Sequence, residues 1–456
     1  MKIISDLHIH SRFSRATSQK LNIENLEKYA KIKGVDLLGT GDFTHPEWIK
    51  ELKNELKEDD SGILKTKNNF PFILQTEISL IYTQENKGRR IHLVLLAKNF
   101  NIVDQITEFL KTKGRVDYDG RPIFKIPCDE LTESMKKIDD GIEIIPAHIW
   151  TPWFSLFGSM SGFNSVEKCF KDQTKHIHAL ETGLSSDPAM NWRLSQLDKY
   201  ALISNSDLHS FWPWRIGREA TIFNLKELTY KNIIHALRTK EGLEGTIEVD
   251  PSYGKYHFDG HRNCKICMNP KDSIKVKNIC PKCRRPLTIG VLHRVEELAD
   301  RKEGFKPKDA KPFHSLIPLS EIISTLINSP LASKKTWKIY YDLINKSQNE
   351  FNIVLETKKE DLTKVVDEKI ADAIIQNREG KITIQPGFDG EYGKPLFSDK
   401  DKVEISQKSK NSKEFLGHEN PKDFHKSKIS EGLGNSKNFQ SETEKPKFEQ
   451  KGLDDF

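Results

Sequence analysis

The chain lacks the long apolar runs and the dense cysteine pattern that mark membrane-spanning proteins and disulfide-stabilised secreted proteins. No stretch of the 456 residues is long and apolar enough to span a bilayer, and the N-terminus has no signal-peptide pattern. Four of the six cysteines form two C-x-x-C pairs, which indicates metal binding in a reducing compartment rather than a disulfide framework. We therefore expect a cytoplasmic protein without a membrane partner.

The chain also lacks a strong excess of charge of either sign. It has 72 basic and 66 acidic residues, for a formal net charge of +6. A balance this mild permits a nucleic-acid partner if the basic groups collect on one face, but it does not require one. Apolar residues are sparse, at 36%, so part of the chain is expected to be disordered. The length predicts two or three domains.

The N-terminal stretch has the most informative local pattern. The apolar residues Ile3 and Ile4, typical of a buried strand, precede Asp6, His8 and His10. Residues two apart on an extended chain point to the same side, so the three polar side chains can converge at the carboxyl end of this strand. Two imidazoles and a carboxylate suit zinc, manganese or iron. Taken alone, the pattern is also that of two ordinary histidines near an N-terminus.

Six further predicted strands follow, and most of them end on a residue that can bind a metal. Helical patterns separate the strands, which favours a parallel sheet. In (β/α) barrels the chemistry collects at the carboxyl ends of the strands, so seven such units predict a closed or nearly closed barrel. His92 fits less well, because it lies early in its strand pattern. The residues at or near these strand ends are Asp42, Glu77, His92, His148, Asp207 and His209.

The order and spacing of these motifs resemble the signature of the PHP (polymerase and histidinol phosphatase) family over residues 1–225. The motifs are Asp6-Leu7-His8-Ile9-His10, Glu77, His92, His148 and Ser206-Asp207-Leu208-His209. The resemblance implies an α/β fold with a distorted (β/α)7 barrel, which binds up to three metal ions and hydrolyses phosphoesters. Zn²⁺ is the expected active-site metal, with Mg²⁺ or Mn²⁺ as alternatives.

The same resemblance implies a role for each ligand. A first metal would be held by His8, His10, Glu77 and Asp207, a second by Glu77, His92 and His148, and a third by Asp42 and His209. The residues expected to be catalytic are Asp207, Glu77 and His148.

Two departures from the family pattern fall on the third site. Ser14 and Arg15 stand where many family members have an aspartate, and Arg15 is interpreted as a phosphate contact. The usual Asp-His pair is here Asp42 followed three residues later by His45.

Two later stretches are similar to one archaeal and bacterial subfamily, endonuclease Q. They are residues 183–192 and 386–393, so that the likeness extends to about residue 395. It implies a metal-dependent DNA repair enzyme that binds double-stranded DNA. Such an enzyme cuts the phosphodiester 5′ of deaminated bases (uracil, hypoxanthine, xanthine) and of abasic sites, and it is expected at the nucleoid.

Aromatic residues are dense after the late strands of the predicted barrel. Such clusters are more often core than function. Here Trp150 and Trp212 closely follow candidate ligands, which predicts loops on the active face. A pocket for a flipped base needs stacking surfaces and hydrogen-bonding groups. The residues predicted to form it are Ser186, Asn191 and Trp192.

The two C-x-x-C pairs predict a structural zinc module over residues 250–305. The pairs are Cys264 with Cys267 and Cys280 with Cys283, and twelve residues separate them. Four thiolates would close the coordination shell and leave no open position for chemistry. Basic residues around the pairs suit contact with DNA phosphates, although a solvated surface explains them equally well.

Residues 306–398 are expected to form a small mixed C-terminal domain that guides DNA across the barrel. From residue 399 to residue 456, Lys, Ser, Asn, Glu and Gly dominate, and this composition predicts a disordered tail. The tail ends in Gln450, Leu453 and Phe456, a spacing similar to that of sliding-clamp-binding peptides. A chance match in a polar tail is the alternative.

Two other functions are consistent with parts of the sequence. The barrel alone would suit a PHP-type phosphatase that acts on a small phosphomonoester, but the zinc module, second domain and tail are superfluous for that activity. A DNA-binding scaffold with an inactive barrel is the third hypothesis, and the full ligand set argues against it.

Overall fold

The computed structural model describes residues 1–397, so the predicted tail and its clamp-binding peptide lie outside the described residues. The strands of the barrel region are β1 Lys2–Asp6, β2 Leu37–Gly39, β3 Leu64–Lys65, β4 Pro71–Gln84, β5 Lys87–Ala97, β6 Ile123–Phe124, β7 Glu143–Pro146, β8 Ala179–Glu181, β9 Ala201–Ile203, β10 Ala220–Asn224 and β11 Leu243–Glu248. The later strands are β12 Asp259–His261, β13 Ile266–Met268, β14 Phe313–Ser315, β15 Thr383–Gln385 and β16 Lys394–Leu396.

A curled, mixed sheet forms most of the barrel wall. Its strand order is β14-β11-β10-β1-β2-β4-β5-β7, and β3 and β6 each pair with β4. A separate parallel pair, β8 and β9, completes the wall between β7 and β1. Ile149 N donates to Glu181 O at 3.0 Å on one side of this pair, and Asp207 N donates to His8 O at 3.0 Å on the other. The predicted distorted α/β barrel is confirmed, although several of its neighbouring strands are antiparallel rather than parallel.

The antiparallel pairing of β4 with β5 explains why His92 lies early in its strand. Ser79 of β4 pairs with His92 of β5, so the start of β5 lies beside the part of β4 that follows Glu77. In an antiparallel pair the beginning of one strand meets the end of the other. His92 therefore reaches the same end of the barrel as the side chains at the carboxyl ends of the parallel strands.

Helices cover the sheet and make up most of residues 319–378. They are α1 Ile23–Lys33, α2 Pro46–Glu55, α3 Phe100–Lys113, α4 Cys128–Ile138, α5 Val166–Phe170, α6 Pro188–Asn191, α7 Tyr230–Thr239, α8 Pro270–Lys275, α9 Val291–Leu298, α10 Leu319–Leu326, α11 Lys334–Ser347, α12 Lys359–Leu362 and α13 Glu368–Arg378. Helix α1 is capped at both ends, because the side chain of Asn22 accepts from Asn25 N and Gly34 ends the helix with φ 95°. None of the described helices combines the length and apolar character needed to cross a bilayer.

The remaining elements pack on the barrel. A short hairpin, β12 and β13, carries part of the cysteine-rich segment. Helices α11 and α13 each pack on α10, and the core of this region includes Tyr340, Leu343, Ile353 and Ile374. A second hairpin, β15 and β16, follows α13. The described residues form one compact unit.

Candidate metal centre and active site

Four buried or half-buried side chains from three separated strands form a first group of potential metal ligands. His8 and His10 follow β1, Glu77 lies within β4, and Asp207 follows β9. Their donor atoms all lie within 4.8 Å of one another. His10 Nε2 is 3.0 Å from Asp207 Oδ1 and 3.2 Å from Glu77 Oε2. The structure therefore brings together the four residues expected to hold the first metal.

A second group shares Glu77 with the first. Glu77 Oε1 lies 2.6 Å from His92 Nδ1 and 3.2 Å from His148 Nε2. These three residues are also within 4.8 Å of one another and are buried. Because Oε1 faces the second group and Oε2 faces the first, Glu77 has the arrangement of a carboxylate that bridges two cations.

Several donor atoms of the first group approach one another closely without forming hydrogen bonds. Among the described residues, His8 Nε2, His10 Nε2 and Asp207 Oδ1 are buried without a hydrogen-bond partner. A buried polar atom left unpaired costs about 1–3 kcal/mol, so such atoms require a compensating partner. Imidazole and carboxylate donors in groups of this size suit zinc, manganese or iron. The residues thus fit divalent metal ions.

Backbone strain is concentrated at the same place. His148 has φ 30° and Asp207 has φ 48°, in the left-handed region that non-glycine residues seldom adopt. Conformations of this kind cost about 1–3 kcal/mol each and cluster at functional sites. The strain supports a functional reason for aiming these two side chains into the barrel mouth.

The electrostatics of the site show how strongly its charges depend on one another. Burial alone would lower the pKa of His8, but Glu181, Glu77 and Asp207 raise it well above its usual value. Burial would raise the pKa of Glu77, but His92, Arg121 and His8 hold it well below its usual value. The carboxylate is therefore kept ionised, as a metal ligand must be.

Two further carboxylates contact the Nδ1 atoms of His8 and His10, whose Nε2 atoms face the ligand groups. Glu181 Oε2 is 3.0 Å from His8 Nδ1, and Asp42 Oδ1 is 2.9 Å from His10 Nδ1. Metal-binding histidines usually donate their second ring N–H to such a partner, which fixes the tautomer and the ring orientation. Glu181 also accepts from His148 N at 2.8 Å, so it supports both groups. This role of Glu181 was not predicted from the sequence, although Glu181 lies at the end of its strand, as most of the candidate ligands do.

The structure does not bring Asp42 and His209 together as a third group of ligands. Asp42 Oδ2 accepts from Ser11 N and Ser11 Oγ, both at 2.7 Å, and from Ser14 Oγ at 2.9 Å. With Oδ1 on His10, both carboxylate oxygens are already engaged inside the protein. His209 lies at the rim, where its ring centroid is 4.8 Å from that of His10. Within the described residues, neither of the two barrel groups with three or more potential ligands includes Asp42 or His209.

Asp6 also differs from the expectation that it converges with His8 and His10. Its carboxylate accepts from Ser206 N at 3.0 Å and from Gly217 N at 2.9 Å. Asp6 thus fixes the chain on either side of Asp207 and His209, instead of facing the metal groups.

An arginine that the sequence analysis missed lies at the mouth of the site. Arg121 Nη1 is 3.0 Å from Glu77 Oε2, and the side chain is 26% exposed. Asp119 accepts from Arg121 N at 3.1 Å and pairs with Arg15 Nε at 3.2 Å, so the predicted phosphate contact Arg15 lies beside Arg121. Gly120 packs this loop on the site, because an added Cβ would lie 2.2 Å from Asp42 Oδ2. The Asp-Gly-Arg-Pro turn at 119–122 was the available signal.

The three residues predicted to form a base pocket are placed differently. Asn191 is buried, and it accepts from Trp150 Nε1 at 2.8 Å and donates to Ser186 Oγ at 3.1 Å and Asp187 O at 2.8 Å. Asn191 and Ser186 therefore bond to each other, although Asn191 also lines the cavity beside Trp192. Trp192 lines a cavity of about 280 Å³ together with Phe305 and residues 307–312. Within the described chain, the lining of that cavity does not include the two ligand groups.

The cysteine-rich module also differs from its prediction. The structure gathers His261 with Cys264, Cys280 and Cys283, and their donor atoms lie within 4.8 Å of one another. Cys267 is outside this group. The predicted four-thiolate set is therefore not the set that the fold brings together, because the register of the β12–β13 hairpin directs Cys267 elsewhere.

The chain is similar in sequence to one family model and to two proteins of known sequence. A family model described as the MJ0043 C-terminal domain matches residues 318–381. The protein MJ0043 of Methanocaldococcus jannaschii is 35% identical over 256 residues, which are 54% of this chain and 31% of that protein, so the chain spans about a third of its length. The protein YqxK of Bacillus subtilis is 29% identical over 412 residues, which cover 86% of this chain and 99% of that protein.

Two solved structures are similar over nearly their whole length. The lesion-specific endonuclease PfuEndoQ from Pyrococcus furiosus has a TM-score of 0.78 and 32% sequence identity, covering 87% of this chain and 95% of that chain. An endonuclease Q in complex with a 27-mer duplex that carries an abasic lesion at the active site has the same TM-score and identity, covering 88% and 98%.

Proposed function

The chain belongs to the endonuclease Q family, and from that premise we propose that it is a metal-dependent hydrolase that cuts the DNA backbone at damaged nucleotides. The observation that carries the proposal is the position of Glu77, whose two carboxylate oxygens face two separate groups of imidazole and carboxylate donors. A paired site of this kind suits hydrolysis of a phosphodiester, in which charge develops on both the attacking and the leaving oxygen.

The roles of the residues follow from their contacts. His8, His10, Glu77 and Asp207 would hold one divalent metal, and Glu77, His92 and His148 the other. Bound metals of this kind supply Lewis-acid activation of water and charge stabilisation at the phosphate. Glu181 and Asp42 hold His8 and His10 in the orientation that directs Nε2 into the site. We propose Zn²⁺ in this site, with Mg²⁺ or Mn²⁺ as alternatives.

Arg121 is placed to bind the phosphate that is cut. Its guanidinium contacts Glu77, a residue of both ligand groups, and its side chain remains partly exposed at the mouth of the barrel. The pKa of Arg121 is raised, because Glu77 and Asp207 outweigh the effect of burial, so the group is always charged. A planar guanidinium suits bidentate contact with a phosphate. Arg15, which pairs with Asp119, would extend the positive surface along the DNA backbone.

The proposed substrate is duplex DNA that carries a deaminated base or an abasic site. The support comes from the similarity over most of the chain to an endonuclease Q held with an abasic duplex. We propose that the bond cut is the phosphodiester 5′ of uracil, hypoxanthine, xanthine or an abasic site.

The test uses end-labelled duplexes that differ in one nucleotide. The full chain, first stripped of metal with a chelator, is incubated with a uracil duplex, an abasic duplex and an undamaged duplex, with and without Zn²⁺, Mn²⁺ or Mg²⁺. We expect a nick 5′ of the lesion in the presence of metal, no nick in the undamaged duplex, and no nick with Asp207→Ala. Turnover of a soluble phosphomonoester without any nicking would instead support the phosphatase alternative.

A second partner is proposed from the sequence beyond the described residues. Gln450, Leu453 and Phe456 have the spacing of a sliding-clamp-binding peptide. Deletion of residues 450–456 should abolish co-elution with the clamp and leave nicking of short duplexes unchanged. Retention of clamp binding by the truncated chain would contradict this assignment.

A further inference from the structure

The cysteine-rich module contains two turns of the same local shape. His261 and Cys264 are separated by two residues, and so are Cys280 and Cys283. The residue directly after each turn has a left-handed backbone, with φ 55° at Lys265 and φ 62° at Arg284. The two turns therefore correspond if His261 is the counterpart of Cys280. Met268, the residue after Cys267, lies in a strand instead.

The register of the hairpin places Cys267 on the other face. His261 pairs with Ile266, and Gly260 pairs with Cys267. Because successive residues of a strand point to opposite faces, Cys267 shares the face of Gly260 rather than that of His261. Phe388 covers the face of Gly260, since an added Cβ there would lie 2.4 Å from Phe388 Cδ2.

The surroundings of Cys267 favour a neutral thiol. Burial, together with Asp259 and Glu391, raises its pKa to about 12. The negative charges of Asp259 and Glu391 thus disfavour a thiolate at Cys267.

The four other donors have the arrangement of a closed site. The ring Nδ1 of His261 lies 3.3 Å from Cys283 Sγ, and all four donor atoms lie within 4.8 Å of one another. Fifteen residues separate Cys264 from Cys280, which falls in the range of 15–20 common in such modules, whereas the twelve between Cys267 and Cys280 do not. Three cysteines and one histidine are a common donor set of structural zinc sites.

We propose that the module binds one structural zinc ion through His261, Cys264, Cys280 and Cys283, and that Cys267 is a neutral, partly buried thiol without a metal. Since a neutral imidazole replaces a thiolate, the site carries one unit less negative charge than a four-thiolate site. The basic side chains of Lys265, Lys282 and Arg285 adjoin the ligands in the chain, so the reduced charge favours a positive surface. The proposal does not depend on the endonuclease activity.

Cobalt substitution tests the donor set in the full chain. Thiolates bound to Co²⁺ give intense charge-transfer absorption in the near ultraviolet, and the barrel groups contain no cysteine, so this band reports on the module alone. We expect Cys267→Ser to bind cobalt and zinc with unchanged stoichiometry and an unchanged band. Cys264→Ser, the matched change of the other cysteine in the pair, should lose intensity and release zinc to a chelator faster.

A second substitution guards against misfolding. His261→Ala is expected to lose the metal, but it could also unfold the module. His261→Cys should keep the module folded and increase the charge-transfer intensity, because a fourth thiolate joins the metal. Loss of intensity in Cys267→Ser, or an unchanged band in His261→Cys, would overturn the proposal. Cys267→Ser should also nick a lesion duplex at the parent rate. If neither the parent nor the variant nicks the duplex, the proposed function fails, while the cobalt band still decides the donor set.

Discussion

Lys33 of α1 and Glu350, which follows α11, form a buried ion pair that joins the barrel to the C-terminal helices. The Nζ–Oε1 distance is 2.6 Å, and the two side chains are 2% and 1% exposed. Lys33 Nζ also donates to Pro213 O, on the segment that follows His209, and Glu350 accepts from Leu319 N and from Tyr340 OH. One contact thus connects a barrel helix, the rim of the active site and two C-terminal helices.

Removal of one partner of this pair should strongly destabilise the fold. Lys33→Met would leave the carboxylate of Glu350 buried without its cation, which costs about 3–5 kcal/mol. Chemical denaturation of the full chain followed by circular dichroism measures the loss. The matched control is Lys53→Met, since Lys53 pairs with Asp104 at the surface with exposures of 40% and 54%. Exposed pairs contribute about 0–1 kcal/mol. Equal losses in the two variants would contradict the joining role of Lys33.

The Lys33–Glu350 pair also shows which contacts the sequence alone cannot predict. The helical spacing predicts α1 and its caps, because Asn22 and Gly34 act on their own neighbours. It cannot predict a partner 317 residues away for a lysine near the end of that helix. Contacts between distant segments depend on tertiary packing that local patterns do not encode.

Arg121→Ala should reduce nicking without loss of metal. Removal of one charged donor from a developing oxyanion costs about 10²–10³ in kcat, and Arg121→Lys should recover only part of the rate, because an ammonium cannot reproduce the planar fork. Single-turnover cleavage of a lesion duplex measures the rate, and elemental analysis measures the metal. Arg115→Ala is the control, because Arg115 lies on the same loop but is 73% exposed and pairs with Asp117. A parallel loss of bound metal would show instead that Arg121 serves to position Glu77.

Asp42→Asn should weaken the site without removing a whole ion. The Asp42 carboxylate orients the ring of His10 and is held by Ser11 and Ser14. Loss of its charge should therefore disturb the position of His10, without removal of an atom that binds the metal. Changes to such supporting groups typically reduce metal affinity or activity by about 10–100-fold. Metal titration of the chelator-stripped protein measures the affinity. If the variant instead binds one ion fewer per chain at saturating metal, Asp42 is a direct ligand and the third site expected from the sequence exists.

The candidate site could be predicted from the sequence to the extent that its residues follow strand ends. His8, His10, His148 and Asp207 obey that rule, whereas Glu77 lies in the middle of β4, which continues to Gln84. His92 required knowledge that β5 runs antiparallel to β4, since its register with Ser79 brings it to the same rim.

The residues that the sequence analysis misplaced share a different cause. Asp42, Asn191 and Cys267 each belong to a residue type that suits the predicted role. The fold directs their polar atoms to other partners, and hydrogen-bond satisfaction and strand register decide this. His261 was missed because a lone histidine beside two cysteine pairs has no spacing rule of its own.

Trp153→Ala should impair cleavage at lesions that retain a base. The side chain of Trp153 is 38% exposed on the loop that follows His148. This loop contacts the second ligand group at two points. His92 N donates to Phe154 O at 3.1 Å, and His148 Nδ1 lies 3.1 Å from Thr151 Oγ1. Stacking of a base on an aromatic side chain contributes about 1–3 kcal/mol, so kcat/KM for a uracil duplex should fall about tenfold or more. An abasic duplex has no lesion base to stack and should be cut at nearly the parent rate. Met160→Ala, at a residue 62% exposed, is the control. Equal impairment on both duplexes would mean that Trp153 contacts the DNA elsewhere than at the damaged base.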